Sequence, residues 1–146
     1  MESKALLRGL STVSFYAKNL EAAKEWYSEL LGLSPYFEAP GYFEFRLGDY
    51  QHELGIIDKE YMPYPQKNEK PNGAIVYWHV DNLETILKKL LSMGAEEYEP
   101  ITKRGEGFTT ASVVDPFGNI LGIMYNQHYL ETLSSIQNKK LTYGNQ

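Results

Sequence analysis

No cysteine occurs anywhere in the 146 residues. Disulfides, thiolate metal centres and cysteine nucleophiles are therefore excluded. Long apolar runs are missing as well. The N-terminal stretch MESKALLRGL is too short for a secretion signal, and no segment approaches the roughly 20 residues that a membrane-spanning helix needs. The expectation is a cytoplasmic protein without a membrane partner. Positive charge is in short supply, with 14 Lys and Arg against 19 Asp and Glu and a net charge of −5. Nucleic-acid binders cluster Lys and Arg on one face, so a nucleic-acid partner is not expected. Neither a nucleotide-binding loop nor a nucleophile–His–acid set can be found. Aromatic residues, by contrast, make up 14% of the chain, and the aliphatic residues are grouped, so one domain or two small halves can build a core.

Apolar periodicity supplies the rest. Residues 11–17, STVSFYA, alternate, with Thr12, Ser14 and Tyr16 on one face and Val13, Phe15 and Ala17 on the other. That is a half-buried strand. Asn19 then suits a helix N-cap, Leu20, Ala23, Tyr27, Leu30 and Leu31 recur at helical spacing, and Gly32 suits the C-terminal end. Strands are expected near 34–38, 42–47 and 50–57. Residues 58–73, DKEYMPYPQKNEKPNG, carry three prolines without periodicity and read as a linker over the surface.

After the linker the pattern restarts. Residues 74–80 alternate again, setting Ile75, Tyr77 and His79 against Val76, Trp78 and Val80. A helix opens at Asp81-Asn82, turns Leu83, Ile86, Leu87, Leu90 and Leu91 inward and ends at Gly94. Strands near 96–101, 108–114 and 120–125 follow. The triplets Asn19-Leu20-Glu21 and Asn82-Leu83-Glu84 stand about sixty residues apart, each directly after a strand. Self-similarity at that spacing points to a duplicated βαβββ module. The last strand pair is joined by DPFGN, a turn sequence, and its second strand carries Gly122 at the centre, where a side chain would normally pack.

The doubled unit, its strand–Asn-Leu–helix openings and the closing hairpin DPFGNILGIMY resemble the vicinal oxygen chelate superfamily of glyoxalases, extradiol dioxygenases, fosfomycin-resistance and bleomycin-resistance proteins. The resemblance spans about residues 9–126. It implies an α+β fold in which two βαβββ modules, 9–57 and 73–126, form a curved mixed sheet around a concave cavity, with the helices outside. Residues 1–8 would be an N-terminal extension, 58–72 the linker, and 127–146 a tail whose Tyr129, Leu130, Leu133 and Ile136 suggest a short helix. Many relatives pair, so a homodimer is expected.

Enzymes of this family usually hold a divalent metal with His and Glu from the first and last strands of each module. Alignment of the helix openings and hairpins places those positions at Thr12, Glu53, Ile75 and Gly122. Only Glu53 is a competent donor, so the resemblance implies no metal and no cofactor here. His79 lies four residues beyond Ile75, about 13 Å along a strand at roughly 3.3 Å per residue, too far to replace a ligand. The cavity face would instead present Thr12, Ser14, Tyr16, Glu53, Ile75, Tyr77, His79, Gly122 and Met124 to an organic ligand, with room left by Gly122. Glu53 is the candidate polar anchor or general base, and whether the protein is an enzyme stays open. The reading is a metal-free small-molecule binder similar to bleomycin-resistance proteins. The alternative is a metal-dependent lyase, isomerase or dioxygenase. The acidic stretch Glu96-Glu97-Tyr98-Glu99 could attract a basic ligand but reads first as a solvated strand edge, and Ser112 reads as an ordinary strand serine.

Overall fold

The computed structural model describes residues 6–63 and 70–144, the last four as backbone only. Much of the linker, residues 64–69, lies outside the described residues. The chain divides into two compact units, Met1–Pro65 and Gln66–Gln146.

In the first unit, β1 (Thr12–Ala17) leads into α1 (Leu20–Leu31), followed by β2 (Phe37–Ala39), β3 (Tyr42–Leu47), β4 (His52–Asp58) and a 3₁₀ turn at Lys59–Tyr61. The strands form one sheet in the order β1-β4-β3-β2. β1 runs parallel to β4, with Thr12 beside Glu53 and Ser14 beside Gly55. The other pairs are antiparallel. The Asn19 side chain caps α1 by accepting from the Ala22 N–H at 3.0 Å, and Gly32 ends the helix with φ 66°. Tyr27 is fully buried beneath the helix, with its ring 6.3 Å from that of Phe15. Val13, Phe43, Phe45, Leu54 and Ile56 complete the core on the same side.

The second unit repeats the order. β5 (Val76–His79), α2 (Leu83–Ser92), β6 (Glu96–Gly105), β7 (Phe108–Val114) and β8 (Ile120–Asn126) give the sheet β5-β8-β7-β6, and α3 (Gln127–Gly144) follows. Asn82 caps α2 as Asn19 caps α1, accepting from the Thr85 N–H at 3.0 Å. Leu83, Leu87 and Leu90 are buried beside Ala111, Val113, Leu121 and Ile123. Asp115, almost fully buried, holds the DPFGN turn by accepting from the backbone N–H groups of Phe117 and Asn119.

Several boundaries differ from the sequence reading, and β5 is shorter at both ends, Val76–His79 rather than 74–80. β2 begins at Phe37 because Pro35 cannot donate to a ladder. β4 begins at His52, since Gly48–Gln51 forms a turn in which the Gln51 N–H donates to the Gly48 carbonyl. β6 runs on to Gly105 through register shifts around Pro100, which carries Arg104 back toward the sheet. Leu30 and Ile86, expected on the inward faces of their helices, are only half-buried. The fully buried Leu90 sits under the second sheet, so Leu90→Ala should cost about 2–5 kcal/mol in chemical denaturation. A loss below ~1 kcal/mol would show that α2 is not part of that core.

Candidate functional site

Each sheet turns one face to its helix and the other away from it, and the polar side chains gather on the second face. In the first unit the registers place Thr12, Ser14 and Tyr16 of β1 beside Glu53, Gly55 and Ile57 of β4, and these beside Arg46, Glu44 and Tyr42 of β3. Thr12 Oγ1 donates to Glu53 Oε2 at 2.6 Å. Arg46 Nη2 lies 3.8 Å from Glu53 Oε1, and its guanidinium stacks 3.9 Å over the Tyr36 ring. That ion pair is part-exposed and weak. The Thr12 hydroxyl therefore fixes Glu53 more than Arg46 does.

Tyr42 crosses the sheet diagonally and donates its hydroxyl to Glu44 Oε1 at 2.6 Å. On its way it passes over Gly55, where a Cβ would lie 2.5 Å from the Tyr42 oxygen. Partial burial first, and the Glu44 carboxylate second, push the Tyr42 phenol well above its usual range.

The second unit builds the same relation from different strands. Tyr77 of β5 pairs with Gly122 of β8, which pairs with Ser112 of β7, which pairs with Glu99 of β6. The Tyr77 ring lies over Gly122, where a Cβ would sit 2.7 Å from Tyr77 Cδ1 and 2.8 Å from the Val76 carbonyl oxygen. Its hydroxyl donates to Glu99 Oε1 at 2.7 Å. The fully buried Ser112 donates to the same oxygen at 2.9 Å. Arg104 closes the network, donating from Nη2 to Glu99 Oε2 at 3.0 Å and from Nε to Thr110 Oγ1 at 3.1 Å. The Tyr77 and Ser112 hydrogen bonds hold the Glu99 carboxyl below the usual glutamate value, outweighing its partial desolvation. Burial, then Glu99, pushes the Tyr77 phenol up.

These registers correct two sequence readings. Gly122 leaves no gap, because the ring of its own neighbour Tyr77 occupies the space. Its counterpart in the first unit is Gly55 rather than Glu53, since Tyr77 pairs with Gly122 as the corresponding Ser14 pairs with Gly55. Continued by one same-face step, the ladder sets Ile120 where the first unit has Glu53. The first unit thus offers a hydroxyl and one carboxylate at the aligned positions, and the second offers only aliphatic groups or glycine. Such a donor set does not fit a divalent metal. Among the described residues no three His, Asp or Glu side chains converge.

His79 lies on the Tyr77 face but turns toward α3. Its ring stacks on Tyr129 at 4.7 Å, and its Nδ1 accepts from the Asn126 N–H at 3.2 Å. Met124 is its cross-strand neighbour. The sequence does not single out Tyr42, Glu44 or Arg104, and it marks Glu99 and Ser112 only as a strand-edge residue and an ordinary strand serine. For Ser112 the alternation of β7 was the available signal, because Thr110 and Ser112 share the face opposite Ala111 and Val113. Glu99 is no solvated edge residue. A concavity along α3 between Gln127 and Lys139 holds none of these groups.

Residues 9–123 match the model of the Glyoxalase/Bleomycin resistance protein/Dioxygenase superfamily. Among solved structures, a glyoxalase-related enzyme from Fulvimarina pelagi is 20% identical over 82% of this chain and 89% of its own, with a TM-score of 0.65. A bleomycin resistance determinant encoded on transposon Tn5 is 21% identical over 82% and 98%, with a TM-score of 0.59. Protein ATC0852 from Agrobacterium tumefaciens is 19% identical over 81% and 96%, with a TM-score of 0.66. At these identities the likeness shows the fold. No curated protein sequence matches the chain.

The Glu99 network predicts a pH signature. A carboxyl whose folded pKa lies below its unfolded value stabilises the fold fully above the unfolded value, near 4.5, and loses that contribution as pH falls through the folded pKa. Glu99→Gln should therefore flatten the acid limb of the stability curve measured by thermal melts between pH 3 and 6. An unchanged acid limb would show that Glu99 is not held by these donors.

Proposed function

Since the chain belongs to the glyoxalase/bleomycin resistance protein/dioxygenase superfamily, we propose that it binds a small organic molecule directly, without a metal, on the polar sheet faces of its modules. The observation that carries this reading is the chemistry of the four aligned positions. Thr12, Ile75 and Ile120, the position that the ladders set against Glu53, cannot ligate as His or Glu would, and Glu53 is already engaged by Thr12 and Arg46. One carboxylate does not offset the dehydration of a divalent ion.

The faces have the chemistry of a receptor for hydrogen-bond donors. Tyr42, Tyr77, Thr12 and Ser112 spend their hydroxyl protons on carboxylates of their own modules. What Thr12, Tyr42 and Tyr77, unlike the buried Ser112, offer outward is oxygen lone pairs beside aromatic rings, which suits a flat, donor-bearing and basic molecule. Glu53 remains the anchor nearest the aligned positions, and Ser14, Tyr16 and Met124 share these faces. His79 serves better as a structural contact to α3 than as a ligand contact. The net charge of −5 agrees with a basic ligand.

The second reading is metal-dependent lyase, isomerase or dioxygenase chemistry. It requires donors from residues other than the aligned four. A cytoplasmic homodimer is the assembly we propose, and light scattering at tens of micromolar would read its mass, a monomer counting against it.

Calorimetry of the chelator-treated protein with a metal-free bleomycin-type glycopeptide and with a small dicarbonyl tests the function. The expected outcome is saturable binding of the basic glycopeptide, weakened about tenfold or more in Glu53→Gln, as loss of one charge-assisted bond implies. Binding of neither probe to chelated protein, restored by added metal, would favour the second reading.

A further inference from the structure

α3 begins four residues beyond the last position matched by the superfamily model, and its attachment is unusually local. Asn126, the residue before it, makes three bonds at once. Its N–H donates to His79 Nδ1 at 3.2 Å, its side-chain Oδ1 caps the helix by accepting from the Tyr129 N–H at 3.2 Å, and its Nδ2 donates to Met124 Sδ at 3.7 Å. The Gln127 N–H donates to the Gly107 carbonyl in the β6–β7 turn at 2.9 Å. His79, whose side chain is only 7% exposed, stacks on Tyr129 with an interplanar angle of 8°. The Tyr125 ring packs 5.5 Å away.

Because His79 Nδ1 accepts, the single proton of the neutral ring sits on Nε2, which faces Asp81 Oδ1 at 3.3 Å. The imidazole thus joins the end of β5, the end of β8 and the first turn of α3 in one fixed orientation. Past the second turn, residues 134–140 are all exposed. A helix whose later turns are exposed in this way belongs to the least stable part of a fold and can open without the sheet.

We propose that α3 is a hinged cap on the polar face of the second module, pivoting at Asn126-Gln127 and held closed by His79. His79 and Tyr77 lie two residues apart on that face, and Tyr129 covers the His79 end of it. Opening the cap breaks the Asn126–His79 bond and the His79–Tyr129 stack, and releases the half-buried Met124, the cross-strand neighbour of His79 whose Sδ accepts from Asn126 Nδ2. His79 is a positioning residue, acting through α3. The significance of the cap for ligand entry rests on the function proposed above, but the cap itself does not.

The lack of cysteine makes a ligand-free test available. Met124→Cys supplies a single thiol whose reaction with Ellman's reagent reports opening, and Ser14→Cys in the first module serves as the reference. Adding His79→Phe keeps a ring for Tyr129 but removes the acceptor for Asn126, and adding Tyr129→Ala removes the stack. Each should speed labelling at residue 124 by at least about tenfold, as expected when a local opening is made easier, and leave labelling at residue 14 unchanged. Hydrogen exchange of the His79→Phe chain should lose protection at 127–133 while β7 and β8 keep theirs. Unchanged labelling at residue 124 in both variants would overturn the cap. So would loss of protection in α3 and the sheet together, which would make α3 an integral part of the module. Neither arm uses a ligand, so failure of the cap and failure of the binding reading are told apart.

Discussion

On the face of each sheet turned away from α1 or α2 a glutamate finds donors within its own module, and a tyrosine laid across a glycine supplies one of them. Tyr77 passes over Gly122 to reach Glu99, and Tyr42 passes over Gly55 to reach Glu44. A side chain at either glycine would push the ring away, and at Gly122 it would also meet the Val76 carbonyl. The glycine therefore keeps the sheet face flat enough for the ring, the ring carries the hydroxyl, and the hydroxyl donates to the glutamate, which at Glu99 helps to hold the carboxyl below its usual range. The two modules use different strands to reach the same end, which separates this relation from simple duplication of sequence.

That arrangement decides what the faces can do. Hydroxyl protons committed to internal carboxylates leave acceptors facing outward. Arg46 and Arg104 are each drawn to a glutamate of their own face. A metal would need the carboxylates released and imidazoles supplied, and the aligned positions supply none. On the function proposed above, an organic molecule with its own donors binds the faces without disturbing them, and its selectivity comes from ring surfaces and lone-pair directions. The fold itself does not choose between these chemistries, since one scaffold carries many sites.

Much of the architecture could be read from local patterns because it is caused locally. Period-two alternation marked β1 and β5, and the paired asparagines marked both helix starts through an Asn side chain reaching the third helical N–H. The DPFGN turn followed from Asp, Pro and Gly preferences. Less of the candidate site could be read. Glu99 joins Ser112 only through pairing of β6 with β7, and Arg104 returns to Glu99 only because β6 continues past Pro100 with shifted register. Neither is encoded by neighbouring residues. Gly122 could be flagged as unusual from sequence, but its cause is the ring of Tyr77, forty-five residues away on the neighbouring strand. Aligning hairpins by their turns set Glu53 against Gly122, whereas the parallel ladders set Gly55 there. Turn lengths differ between the modules, and ladders record the difference where turn motifs do not.

The most direct test is elemental analysis of the protein purified without chelators from metal-supplemented medium, set beside the Glu53→Gln variant. Direct binding of an organic ligand requires far less than one equivalent of Zn, Ni, Mn or Fe in either protein. One equivalent in the natural sequence, lost in Glu53→Gln, would contradict the account and make Glu53 a metal ligand.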